Sequence, residues 1–202
     1  YFSKKYNDRD SNSYMEHFDS ISGLWFEVKF SDLIWIDGSK ALVCTITDIT
    51  QKKKNQQKIE YQAHNDVLTG LYNRMKCELD LPKEIKRTIQ NNKKGAILFI
   101  DLDNFKHIND GLGHRHGDML LQQIASGLQS MMNLKDHCYR MGGDEFVIVV
   151  TYENFDDMDR IVKNIIEMFN TPWDLSGTEY YCTMSMGIAV YPDDSIDYNE
   201  LI

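Results

Sequence analysis

The sequence contains no apolar run approaching the roughly 20 residues that a membrane-spanning helix requires, and nothing at its start has the pattern of a secretory leader. That predicts a cytoplasmic chain, with any membrane tether belonging to a longer parent protein. There is no paired-cysteine motif either. Cys44, Cys77, Cys138 and Cys182 are scattered, with no CxxC among them, so reduced and mostly buried thiols are expected. Basic residues are in deficit. The chain has 22 Lys and Arg against 31 Asp and Glu, a net charge of −9, whereas a nucleic-acid surface is usually basic. Clustered carboxylates are compatible with a divalent metal instead. The remaining composition is ordinary for a globular protein: 202 residues, 42% hydrophobic and 26% charged, enough for one or two domains with a real core.

Residues 1–22 are polar, dotted with aromatics and without a clear period. Asp8, Asp10, Asn12 and Asp19 fall loosely on calcium-loop spacing, but Ser13 stands where glycine is wanted and Asp19 where a bidentate Glu is usual. A polar loop is the reading. From Leu24 to Asp48 the text becomes strand-like: Trp25, Phe26, Val28 and Phe30 lead through Ile36 to Asp37-Gly38, a hairpin turn, and Leu42 to Thr47 return. A lone hairpin is marginal in water and must pack on something. The segment Thr50–His64, with Lys52–Lys54 and Ile59 as its one strong apolar anchor, predicts an exposed helix. It is either a short coiled-coil lever or a solvated spacer.

The stretch Tyr139–Val150, YRMGGDEFVIVV, is a second hairpin signature, with Gly142 and Gly143 at the turn and Asp144 and Glu145 at its tip. By itself such a tip reads as solvated. Forty residues upstream, however, Gly95–Asp103 is a buried strand ending in acid. Alternation puts Asp101 and Asp103 on one side and Leu102 on the other. Two acidic strand ends, if paired, make a hard oxygen site suited to Mg²⁺. It is not an EF-hand, because Phe105 and Lys106 occupy positions where an oxygen ligand and glycine belong. Residues 105–118 read as a polar-turn segment with three glycines, before a core-facing helix carrying Leu120, Leu121, Ile124, Ala125, Leu128, Met131 and Met132. Asp118 is a candidate cap for that helix; Lys106 and Asn109 are by position ordinary surface residues. His114 and His116 lack a third nitrogen or sulfur ligand nearby. Asp66–Arg74 reads as a turn before a helix with Leu79, Ile85 and Ile89 inward, and a helical face from Met158 to Phe169 ends at Thr171-Pro172. Strands near 96–102, 137–141, 146–151 and 180–190, separated by helices, give an α/β sheet.

Three separated segments, DVLTGLYNR at 66–74, DLDNFKHINDGLGHRHGD at 101–118 and GGDEF at 142–146, together resemble the GGDEF family of diguanylate cyclases, which make cyclic di-GMP from two GTP. Upstream, GLWFEVKF…IDGSKALVCTITDITQKK resembles the C-terminal part of a PAS sensor domain passing into its signalling helix. The expected organisation is a partial PAS-like domain over 1–49, a linker helix over 50–63 and a GGDEF domain over 64–202. The fold implied is α/β, a nucleotidyl-cyclase or polymerase-palm-like mixed sheet flanked by helices and preceded by the PAS hairpin.

That resemblance also implies roles. Asp101, the backbone carbonyl of Leu102 and Glu145 would hold Mg²⁺ (or Mn²⁺). Asn104, Phe105 and Lys106 would cradle the phosphates of GTP, Asn109 and Asp118 would read the guanine edge, and Gly142 and Gly143 would let backbone lie against the nucleotide. Asp144 would be the general base for the ribose 3′-hydroxyl. Each chain would bind one GTP, so catalysis implies an antiparallel homodimer, with parallel pairing through the PAS part and linker. Two departures follow. The family's inhibitory product site is marked by RxxD, and here Asn133 stands in place of Arg with Asp136 retained, which predicts little product inhibition. The family also continues into a basic helix beyond the position of Ile202, which predicts weak GTP binding and slow turnover by this stretch alone. The alternative is a catalytically inactive GTP-binding domain acting as a regulatory or dimerisation module.

Overall fold

Alternating side chains in the first third of the chain pair off as antiparallel strands. A computed structural model describes residues 14–131, 134 and 136–202, and the chain divides into two compact units, Tyr1–Glu60 and Tyr61–Ile202.

In the first unit β1 (Tyr14–Asp19), β2 (Leu24–Ile34) and β3 (Lys40–Asp48) form a sheet in that order. The hairpin turn is where Asp37-Gly38 predicts it. Gly38 has φ 82°, its N–H donates to the Trp35 carbonyl at 2.9 Å, and Ser39 N–H donates to Asp37 Oδ1 at 2.9 Å. The polar loop expected through residue 22 is corrected. Tyr14–Asp19 is a strand, fixed by its register with β2 (Phe18 opposite Trp25) rather than by a period of its own. Asp19 is a turn residue, its carboxylate accepting the N–H groups of Ile21 and Ser22 and the Ser22 hydroxyl. Asp8, Asp10 and Asn12 lie outside the described residues. Of this sheet only Val28 is fully buried, and Ile34, Leu42 and Ile46 are exposed. The helix α1 (Thr50–His64) starts where Asp48 Oδ1 accepts the Thr50 N–H at 2.8 Å, and the Thr50 hydroxyl accepts the Trp25 N–H at 2.9 Å.

The second unit opens with a short strand, β4 (Tyr72–Asn73), and α2 (Arg74–Gln90), whose N-terminus is capped by the Asn73 side chain accepting the Lys76 N–H. There follow β5 (Lys94–Leu102), α3 (Phe105–Leu112), α4 (His114–Ser130), β6 (Cys138–Gly142), β7 (Glu145–Tyr152) and α5 (Phe155–Phe169). A two-stranded ribbon, β8 (Trp173–Asp174) with β9 (Glu179–Tyr180), precedes β10 (Met184–Tyr191) and α6 (Tyr198–Leu201).

The sheet order is β10-β5-β7-β6-β4, antiparallel except for β4 beside β6. Alternation along β5 fills both faces. Ala96, Leu98, Ile100 and Leu102 join the core built with α3, α4 and α5, while Ile97 joins Cys77, Leu81 and Ile85 of α2. The predicted mixed α/β sheet between helices is therefore the observed one.

Three local expectations are corrected. Residues 105–118 are not a turn but the end-to-end helices α3 and α4, because Phe105 and Ile108, three apart on one face, are buried in the core. In α2 the inward stripe is Cys77, Leu81, Ile85 and Thr88; Leu79 is 47% and Ile89 36% exposed. Leu79 sits two residues, roughly 200° of rotation, from the stripe, and Ile89 is in the last turn. The late strand begins at Met184, since Glu179–Tyr180 pair with β8 instead.

Candidate active site

The acidic tip is built where β5 and β7 run side by side, with Asp101 opposite Glu145 in the antiparallel register. The turn between β6 and β7 needs glycine: Gly142 has φ 142°, Gly143 has φ 54°, and the register slips between Arg140 and Gly142. A Cβ at either glycine would meet no heavy atom within 4 Å, so the backbone here is open to close approach. The Asp101 carboxyl is pushed above the usual carboxylate range, by partial burial and then by the charges of Asp144 and Asp103. Like charges gathered on exposed strand ends favour a cation between them. Among the described residues no three His, Cys, Asp or Glu side chains could enclose a metal ion. Two carboxylates and a carbonyl suit a Mg²⁺ that takes its other ligands from water and substrate phosphate. The Leu102 side chain is 1% exposed, inside the core, so the backbone carbonyl is what this residue has to offer a metal.

Asp103, the fourth acid, is engaged elsewhere. Its two carboxylate oxygens accept the hydroxyls of Thr183 at 2.7 Å and Ser185 at 2.8 Å, and its N–H donates to the Thr183 carbonyl at 3.0 Å. Those hydroxyl bonds hold its carboxyl below the usual range. It fastens the end of β5 to the start of β10.

Next along the chain, Asn104 is in the left-handed region at φ 60°, ψ 24°, and its side chain does not cap α3. The first N–H groups of a helix have no intrahelical acceptor and favour anions. Phe105 is buried and Lys106 exposed. Gly113, with φ 88°, ends α3 and begins α4. Asp118 lies in the second turn of α4, exposed, so the reading of it as a helix cap is corrected: the cap position is Gly113. Asn109 is half-buried on α3. His116 Nδ1 lies 2.6 Å from the Leu112 carbonyl oxygen, which ties that histidine to the α3–α4 corner.

One participant was not legible in the sequence. Arg140 donates through Nε and Nη2 to the Gly143 carbonyl (3.1 and 2.7 Å) and through Nη1 to Asp66 Oδ1 (2.9 Å). Asp66 also accepts the Thr69 N–H and hydroxyl at 2.9 and 2.7 Å. Burial pushes the Asp66 carboxyl up, but the hydrogen bonds from Thr69 and Arg140 outweigh it, and its net position is below the usual range. The glycine turn is thereby tied to the segment 66–70. Both residues stand in segments singled out above, yet 74 positions separate them, and no local pattern pairs them.

The family model described as diguanylate cyclase, GGDEF domain, matches residues 63–202, which hold all three segments. The chain belongs to the GGDEF family. It is 34% identical over 150 residues to the bifunctional diguanylate cyclase/cyclic di-GMP phosphodiesterase MucR of Pseudomonas aeruginosa, covering 74% of this chain and 22% of MucR. It is 32% identical over 161 residues to the cyclic di-GMP phosphodiesterase PdeR of Escherichia coli, covering 80% of this chain and 24% of PdeR. It thus spans about a quarter or less of the length of these relatives. Among solved structures, a sensory box/GGDEF family protein from Caulobacter crescentus aligns with TM-score 0.64 and 35% identity, over 69% of this chain and 90% of that one. The GGDEF domain here has the fold of that structure. Asn133 lies outside the described residues; Asp136 is exposed. Among the described residues no helix is long and apolar enough to cross a membrane.

Proposed function

We propose that this GGDEF domain is the catalytic output of a sensor-regulated diguanylate cyclase, condensing two GTP into cyclic di-GMP and two pyrophosphates. The observation that carries this reading is the pairing of Asp101 with Glu145 on neighbouring strands, beneath a glycine turn open to a ligand.

In this reading Asn109 and Asp118 face the guanine edge, Asp118 accepting from the ring N–H and exocyclic amine. Adenine would leave those polar groups unpaired. The backbone at Asn104 and Phe105, with the Lys106 ammonium, holds the phosphates. Gly142 and Gly143 let the chain lie flat against the nucleotide. Asp144 takes the proton from the ribose 3′-hydroxyl as its oxygen attacks the α-phosphorus of the facing GTP. Pyrophosphate leaves, and a second attack closes the ring. Asp101, the Leu102 carbonyl and Glu145 would hold Mg²⁺ (or Mn²⁺), which would supply Lewis-acid polarisation of the α-phosphate and charge stabilisation for the leaving group. Two chains face each other antiparallel, because each brings one GTP. The chain works in the cytoplasm, with 1–49 as the remaining part of a PAS-like sensor and 50–63 as the linker that transmits its state.

The test is GTP turnover with Mg²⁺, following pyrophosphate and cyclic di-GMP, on this chain and on one extended past Ile202, beside Asp144→Ala and Glu145→Ala. Product from the extended chain, lost in both variants, is the expected result. A second reading, a GTP-binding regulatory module without turnover, is favoured by the naming of PdeR as a phosphodiesterase. GTP binding with no product at high protein concentration would establish it.

A further inference from the structure

We infer that Gly117 is a specificity-determining position of the nucleotide site, acting by leaving room for the Asn109 carboxamide beside Asp118; this rests on the guanine-reading role proposed above.

The geometry is a close crossing of two helices. α3 ends at Leu112, Gly113 turns the chain, and α4 begins at His114. Gly117 is buried within α4. A Cβ there would stand 2.1 Å from Asn109 Oδ1, 3.1 Å from Asn109 Cγ and 3.2 Å from Phe105 Cζ. All three atoms belong to α3. The carboxamide of Asn109 therefore occupies the volume that any side chain at 117 would fill.

Neither helix can back away easily. Leu120, Leu121 and Ile124 seat α4 in the core at 0, 2 and 0% exposure, and Ile108 seats α3 at 2%. The Asn109 backbone is fixed too, since its carbonyl accepts the Gly113 N–H at 3.0 Å. What can move is the Asn109 side chain, by rotating out of the crossing. An alanine at 117 would thus be tolerated by the fold once Asn109 rotates out and the Phe105 ring gives by a few tenths of an ångström, and alanine is a far better helix former than glycine. It would be felt at the site. Asn109 would present its amide elsewhere, next to an unchanged Asp118.

The experiment is a double-mutant cycle on the 202-residue chain with Gly117→Ala, Asn109→Ala and the pair. It reads GTP and ATP dissociation constants by calorimetry, with thermal melting alongside. The expected result is that Gly117→Ala melts close to the parent yet weakens GTP by about tenfold or more, as for a lost hydrogen bond to the ligand. ATP should be far less affected, so the GTP/ATP ratio falls. In the Asn109→Ala background, Gly117→Ala should cost nothing further, because the clash is gone. The inference is overturned if Gly117→Ala keeps the parent's GTP affinity, if GTP and ATP fall together, or if the loss repeats in full without Asn109. An unsubstituted chain extended past Ile202 that binds no GTP at any concentration would instead sink the nucleotide reading itself.

Discussion

Arg140 and Asp66 are two charges with little access to water, at 11 and 25% side-chain exposure, and each is the other's partner. Removing Arg140 leaves the Asp66 carboxylate to its Thr69 hydrogen bonds and takes both guanidinium donors from the Gly143 carbonyl. Arg140→Ala is expected to cost about 2–4 kcal/mol in denaturant unfolding, by analogy with breaking partly buried pairs, and to lower turnover through the loosened glycine turn. The pair also sets a pH dependence. The folded Asp66 carboxyl lies below its unfolded value of about 4. Its contribution is therefore fully present above that unfolded value and is lost as pH falls through the folded one. Melts of the parent from pH 7 to pH 3 should fall more steeply in the acid range than those of Asp66→Asn.

Asp101 behaves in the opposite sense. Its raised carboxyl, pushed up by burial and by Asp144 and Asp103, means that its charge opposes folding at neutral pH. Asp101→Asn should leave the melting temperature unchanged or higher, while product formation drops by at least about a hundredfold. Added Mg²⁺ should raise the melting temperature of the parent and not of the variant. A variant that is both less stable and still active would contradict the assignment.

At the scale of elements, the stripe in α2 makes a sharp comparison. Leu81 is 1% exposed and Leu79 is 47% exposed. Leu81→Ala should cost about 2–5 kcal/mol by cavity formation, and Leu79→Ala no more than about 0.5 kcal/mol; urea unfolding measures both. The sequence made the existence of α2 plain, as a helix following the turn over 66–74. Which face turned inward was not plain. Cys77 and Thr88 complete the buried row, and neither is a strong apolar marker. Three glycines hid the helices between 105 and 118. Gly111 and Gly117 lie inside them and only Gly113, with φ 88°, makes the turn expected of all three. β1 went unseen because its apolar residues, Tyr14, Met15 and Phe18, do not alternate, and its strand state comes from pairing with β2. Asp103 was grouped with the other acids by alternation alone, and only the fold reveals Thr183 and Ser185, some 80 residues on, at its oxygens.

For the whole molecule, the segments 66–74, 101–118 and 142–146 were legible as a set through their resemblance to one family. Their spatial logic was not legible. Periodicity cannot say that β5 lies between β10 and β7, and that order is what sets Asp101 opposite Glu145. If catalysis needs two facing chains, turnover per chain should rise with protein concentration and level off. Rate measurements across a dilution series, matched to light scattering, check this. A rate per chain that is flat down to the monomer range would refute the dimeric mechanism.

The place of β5 in the sheet has a consequence for how the molecule is made. Its two neighbours come from later in the chain, Glu145 reaching it from 44 positions on and Ser185 from 84. During synthesis the strand that carries Asp101 therefore waits with both edges bare until β7 and then β10 emerge. Long-range pairing of this kind is slow to form and leaves unpaired edges open to other chains. The acidic pair cannot exist in a nascent chain that ends before residue 145. Agents that bind bare strand edges should find this chain most vulnerable on the ribosome, before the acidic pair has formed.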